Sequence, residues 1–121
     1  NRDSPRLRHN DIQTELCRLL SRKYGAENVG DEQRTGSGIV DVIVRRNGRY
    51  WYYEIKTASS ARACLREAIG QLLEYSLWPG SQRPSKLFVV GEPKLTASGR
   101  KYLCALNRRF PFPIAYEQVA I

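Results

Sequence analysis

Gly38-Ile-Val-Asp-Val-Ile-Val-Arg-Arg-Asn-Gly-Arg-Tyr-Trp-Tyr-Tyr-Glu-Ile-Lys56 is the stretch that decides how the rest of the chain is read. Two runs rich in β-branched and aromatic residues flank Asn47-Gly48, a dipeptide suited to a two-residue type I′ hairpin turn. Without a bulge, Arg46 pairs with Arg49, and stepping back along both strands brings Asp41 opposite Glu54. The alternation set by the turn makes that a non-hydrogen-bonded pair, with Cβ atoms roughly 4.5–5.5 Å apart. Lys56 follows on the same face, because strand side chains alternate with period two. Two opposed carboxylates repel, and a divalent cation between them would turn that liability into a binding site.

Outward from this hairpin, helical spacing predicts a first helix over residues 10–24, capped by Asn10 or Asp11, with Gln13 at capping-box distance. Ile12, Leu16, Leu19 and Leu20 form its apolar stripe, and Glu15 lies about 60° from Ile12 at the stripe's edge. A short strand is expected at 29–33, then the turn Thr35-Gly36-Ser37-Gly38. The hairpin strands 39–45 and 49–56 carry apolar bulk on both faces. Val40, Val42, Val44, Trp51, Tyr53 and Ile55 lie on one, and Ile43, Tyr50 and Tyr52 on the other, beside the charged cluster. A sheet apolar on both sides expects cover on both sides.

A helix over 61–77 follows, ended by Trp78-Pro79-Gly80, with Gln71 and Tyr75 at i, i+4 along one edge. Lys86 to Val90 reads as a buried strand, so strand–helix–strand implies a right-handed crossover and parallel pairing. Thr96 caps a last helix to about Asn107, with Tyr102, Leu103 and Leu106 as expected contacts. Ile114 to Val119 alternates like a final strand.

The 121 residues fit one domain over 1–121, and the lack of any methionine is expected of a domain excised from a longer protein. The longest apolar runs are too short to span a membrane. A net charge of +8, from 20 basic and 12 acidic residues, favours a polyanionic partner. Cys17, Cys64 and Cys104 lack metal-site or disulfide spacing and are expected as small core residues in a reducing, cytoplasmic compartment. His9 is the only histidine, which excludes a multi-histidine metal site.

Three motifs now stand in order: Gly38-Ile-Val-Asp41, Glu54-Ile-Lys56 and, fifteen residues on, Gln71-Leu-Leu-Glu-Tyr75. Together they resemble the PD-(D/E)XK nuclease superfamily, and the third is most similar to the Gln-x-x-x-Tyr signature of its RecB-like exonuclease branch. Val40 stands where the superfamily often has proline, Ser37 breaks the branch's double glycine, and the branch's upstream histidine has only His9 as a candidate. The resemblance covers about residues 10–90. It implies a restriction-endonuclease-like α/β fold: an α-β-β-β-α-β core, a mixed sheet flanked by helices, and an added C-terminal helix and strand.

The resemblance also implies roles. Asp41 and Glu54 would coordinate Mg²⁺ or Mn²⁺, with the Ile55 carbonyl as a backbone ligand and Glu15 as a candidate third acid. Lys56 would face the attacking water and the scissile phosphate, Gln71 would orient Lys56 or the water, and Tyr75 would brace the site or touch the nucleic-acid strand. Arg34, Ser37, Lys94 and Lys101 are candidate nucleic-acid contacts. The expected activity is metal-dependent hydrolysis of DNA phosphodiester bonds, in a restriction, defence or repair protein with further domains or as a homodimer. Two carboxylates beside Lys56 favour a cationic lysine that orients water over a general base. The alternatives are a non-catalytic nucleic-acid-binding module on the same fold, and an oligomerisation domain with a basic face, which leaves the acidic pair unexplained.

Overall fold

The computed structural model describes residues 4–34, 38–110 and 113–121, with the Arg34 side chain outside that description. The elements are α1 (Pro5–Tyr24), a 3₁₀ turn (Ala26–Asn28), β1 (Val29–Arg34), β2 (Ile39–Arg46), β3 (Arg49–Ile55), α2 (Ala61–Leu77), β4 (Lys86–Gly91), α3 (Ala97–Asn107) and β5 (Ile114–Gln118). They form one five-stranded mixed sheet in the order β1-β2-β3-β4-β5. β1 pairs antiparallel with β2 and β2 with β3, whereas β3, β4 and β5 are mutually parallel. This is the expected α/β architecture, with α3 and β5 added after the core.

The hairpin turn forms as its dipeptide dictates, since Asn47 and Gly48 both take positive φ, 52° and 76°. No bulge intervenes, and β2 and β3 pair from Arg46↔Arg49 to Val42↔Tyr53. The two parallel links are made through α2 and α3. Ser60 Oγ accepts the Ala63 amide at 3.1 Å and Thr96 Oγ1 the Gly99 amide at 3.0 Å, so each helix starts on a satisfied cap.

Both sheet faces are covered. Under α1, Ile12, Leu16 and Leu20 pack on Val42, Val44, Tyr53, Ile55, Phe88 and Val90. Under α2 and α3, Leu65, Leu72, Tyr75 and Leu103 pack on Val40, Tyr52, Leu87, Val89 and Ile114. Val40 is therefore on the face opposite to the one its period-two spacing from Val42 assigns. The reason lies at Asp41, where regular pairing lapses: β1 pairs Asp31 with Val42 and Gln33 with Val40, leaving out Glu32, whose φ is 48°. The strand loses its two-residue alternation across that gap.

α1 starts at Pro5, more than a turn earlier than expected. Proline suits the first helical position because its missing N–H would have no partner there, and the Ser4 carbonyl accepts the Arg8 amide at 3.0 Å. Gln13 is accordingly mid-helix and not part of a cap. Leu19 and Tyr102, expected as contacts, are exposed. All three cysteines are free, but only Cys64 is buried and Cys104 is exposed. Among the described residues no helix is long and apolar enough to cross a membrane.

Candidate active site

The lapse in pairing at Asp41 builds the site. In a continued antiparallel ladder the Ile55 amide would donate to a β2 carbonyl. Instead it donates to Asp41 Oδ2 at 2.8 Å, so the carboxylate stands in for backbone at the end of the β2–β3 ladder. Asp41 therefore does not lie over Glu54 as a paired ladder residue. It is turned toward the Ile55 amide and toward α1, where His9 Nε2 lies 3.2 Å from the same oxygen. Gln13 Nε2, one turn along α1, donates to the Asp41 carbonyl at 3.1 Å.

Glu54 is 4% exposed. Its Oε2 lies 3.6 Å from Lys56 Nζ, and its Oε1 is buried without a hydrogen-bond partner. Burial, together with the charge of Asp41, pushes its pKa up to about 7 against the pull of Lys56 and His9. The same coupling raises the His9 pKa, chiefly through its hydrogen bond to Asp41. Tyr75 belongs to this environment too, because its hydroxyl is held above its ordinary pKa by burial and then by the charges of Glu54 and Asp41.

From α2, Gln71 Nε2 donates to the Tyr75 hydroxyl at 3.3 Å, so the i, i+4 pair is joined to itself and not to Lys56. The Tyr75 ring edge also rests against Gly38, where a Cβ would come within 2.8 Å of Cε1. On the other side Arg8 Nη2 donates to the Thr57 carbonyl at 2.6 Å, tying α1 to the segment that follows Lys56.

The structure thus gathers Asp41, Glu54, Lys56, Gln71 and Tyr75 at one end of the hairpin and adds His9 and Gln13. Glu15 does not join them. Its carboxylate is bound by Arg18 at 2.7 Å, and that hydrogen bond lowers its pKa. Lys94 and Lys101 are exposed, and the charges that shift Glu54 come from Asp41, Lys56 and His9. Ser37 and the side chain of Arg34 lie outside the described residues. Gln13 is the residue that strand-centred reading misses; its signal was the i, i+4 spacing from His9, legible once the helix is started at Pro5.

The donor chemistry fits a hard divalent cation. Two carboxylates are available, one with a buried oxygen lacking a partner, and Mg²⁺ sites commonly use one or two carboxylates with water and phosphate oxygens. Among the described residues no group of three or more His, Cys, Asp or Glu side chains is placed to enclose a metal ion. A cation held here would complete its shell with water and substrate.

No family model matches the chain, and no curated protein matches it. The chain is similar to the crystal structure of a repair endonuclease from Pyrococcus abyssi, at 18% identity and a TM-score of 0.49. The likeness covers 89% of this chain and 46% of that one, so the chain spans less than half of that protein's length.

Proposed function

We propose that this chain is a metal-dependent nuclease domain that hydrolyses DNA phosphodiester bonds. The observation that carries the reading is the buried Glu54 carboxylate, with one oxygen lacking a partner, beside Asp41 and Lys56. An acid buried at such a cost to stability is explained when a cation occupies the site.

Asp41 and Glu54 would hold Mg²⁺ or Mn²⁺, with the Ile55 carbonyl as a further ligand. The metal would supply charge neutralisation on the phosphate and a more acidic bound water. The remaining work falls to side chains of this chain. The His9 and Ile55 N–H groups fix the orientation of the Asp41 carboxylate, and Gln13 fixes its backbone. Lys56 offers a cation beside Glu54 to orient water and to meet charge that develops on the phosphate. Tyr75, held by Gln71 on α2, lies within the field of both acids and would brace the site. In this reading the choice of DNA site or end is made by other parts of a parent protein.

The alternative, a non-catalytic nucleic-acid-binding module, is favoured by the absence of a third acidic or histidine metal ligand among the described residues. Two measurements on one preparation separate the readings. Mn²⁺ binding by calorimetry and Mn²⁺-dependent digestion of linear and circular DNA are both expected for native protein and both lost in Glu54→Ala. Undiminished cleavage by Glu54→Ala protein would sink the nuclease assignment; DNA binding without Mn²⁺ binding would establish the module.

A further inference from the structure

A second cluster lies at the opposite end of α1 and of the hairpin. Arg46 sits over the Tyr24 ring at 4.8 Å and near Trp51 at 6.0 Å. Lys86 sits over Phe88 at 4.9 Å and near Trp51 at 5.9 Å, and Lys23 approaches Tyr24 at 5.3 Å. The rings brace one another, with Tyr24 edge-on to Trp51 at 5.4 Å and Trp51 tilted on Phe88 at 5.7 Å. Three cations from α1, β2 and β4 thus converge on one aromatic platform.

Cations on protein surfaces are commonly held by carboxylates, which fix the side chain and cancel its charge. Among the described residues, Lys23, Arg46 and Lys86 form no ion pair and are held by ring faces. A cation–π contact restrains the side chain yet leaves the full positive charge facing outward. Arg22 and Arg49, both exposed, adjoin the cluster in sequence and extend its charge. Glu27, a nearby acid in sequence, lines a cavity on the other side of the sheet with Arg45, Tyr50 and Tyr52.

We propose that Lys23, Arg46 and Lys86, braced on Tyr24, Trp51 and Phe88, form a second docking surface that binds the phosphodiester backbone of duplex DNA away from the acidic pair. The choice of DNA as the polyanion rests on the function proposed above; the surface itself rests on charge and geometry. Fifteen residues of α1 separate His9, at the acids, from Tyr24, at the platform. At 1.5 Å per residue that is roughly 22 Å. With about 3.4 Å per base step, the span matches about six to seven base pairs. Duplexes shorter than that reach one site only, and longer ones reach both.

The test uses the whole chain in chelator, so that it is independent of cleavage. Binding of a labelled duplex of about two helical turns is measured by anisotropy across a salt series. Combined Lys23→Gln, Arg46→Gln and Lys86→Gln substitution is expected to weaken binding about tenfold or more at moderate salt. The slope of log affinity against log salt should become shallower by about 2–3, one counterion equivalent per lost phosphate contact. The charge-keeping combination Lys23→Arg, Arg46→Lys and Lys86→Arg should retain the native slope. An unchanged slope in the neutral variant, or equal loss in both, overturns the proposal. Native protein gives a check that needs no variant: duplex DNA should protect Lys23 and Lys86 from acetylation, and absence of protection overturns it as well. Failure here leaves Glu54-dependent cleavage standing, whereas loss of the nuclease reading leaves the salt slope to be explained by this surface.

Discussion

Glu54 keeps its carboxylate almost fully out of water with an unmatched oxygen, and its pKa rises from 4.5 to about 7. The sign of the consequence follows from linkage. Between pH 4.5 and about 7 the unfolded chain has released the proton that the folded chain still holds. Metal-free protein is therefore favoured below pH 4.5, as far as this group is concerned, and loses that advantage as pH rises to about 7. The loss is about 3 kcal/mol, at 1.36 kcal/mol per pKa unit. Glu54→Gln protein should melt above native protein at pH 8 without metal, and the gap should close as pH falls toward 4.5. A gap that does not change with pH would mean that Glu54 is solvated. Lys56 makes a second expectation at this scale. Replacing it with a neutral isostere should lower the cleavage rate about 10²–10³-fold and leave the basic limb of the pH–rate profile in place. A shifted limb would show instead that Lys56 acts as a base.

At the scale of elements, α2 bears on the site through Tyr75, whose ring rests against Gly38 just before β2. Gly38→Ala puts a Cβ 2.8 Å from Tyr75 Cε1, and the ring has to move. Overpacking of this kind costs about 1–3 kcal/mol. It is expected to reduce cleavage by displacing Tyr75 from the acids, with Mn²⁺ binding retained; full activity in a folded Gly38→Ala protein would remove α2 from the site. The hairpin shows the same dependence between elements. Its register was readable from Asn47-Gly48 and holds as far as Val42↔Tyr53. The next step, Asp41 against Glu54, fails because Asp41 has better partners elsewhere: the Ile55 amide in the plane of the sheet and His9 on α1.

For the whole molecule, the burial of Glu54 links cation binding to folding. A cation that binds only the folded state raises the melting temperature, by an amount that grows with the logarithm of its concentration above the dissociation constant. Because Glu54 must lose a proton to bind metal, Mn²⁺ affinity should be level above pH 7 and fall about tenfold per unit below it. Calorimetric titrations at pH 6, 7 and 8 would check this, and an affinity that does not vary with pH would exclude Glu54 as a ligand. The distribution of charge adds a molecular dimension, with acids at one end of α1 and aromatic-braced cations at the other.

The chain's own order of residues determined the element sequence, the Asn47-Gly48 turn, the exact span of α2 and the parallel crossover to β4. These follow from local chemistry: a turn dipeptide with positive φ, a Ser60 cap, a Trp78-Pro79-Gly80 stop, a short all-apolar strand. The grouping of Asp41, Glu54, Lys56, Gln71 and Tyr75 was legible through motif order. Only the tertiary structure decided which way Asp41 turns, that Val40 changes face, and that His9 and Gln13 complete the surroundings of Asp41. The turn of Asp41 and its partners on α1 depend on where α1 begins and how it lies across the sheet, and the face change of Val40 depends on the lapse in pairing with β1; period-two alternation along one strand carries no information about either.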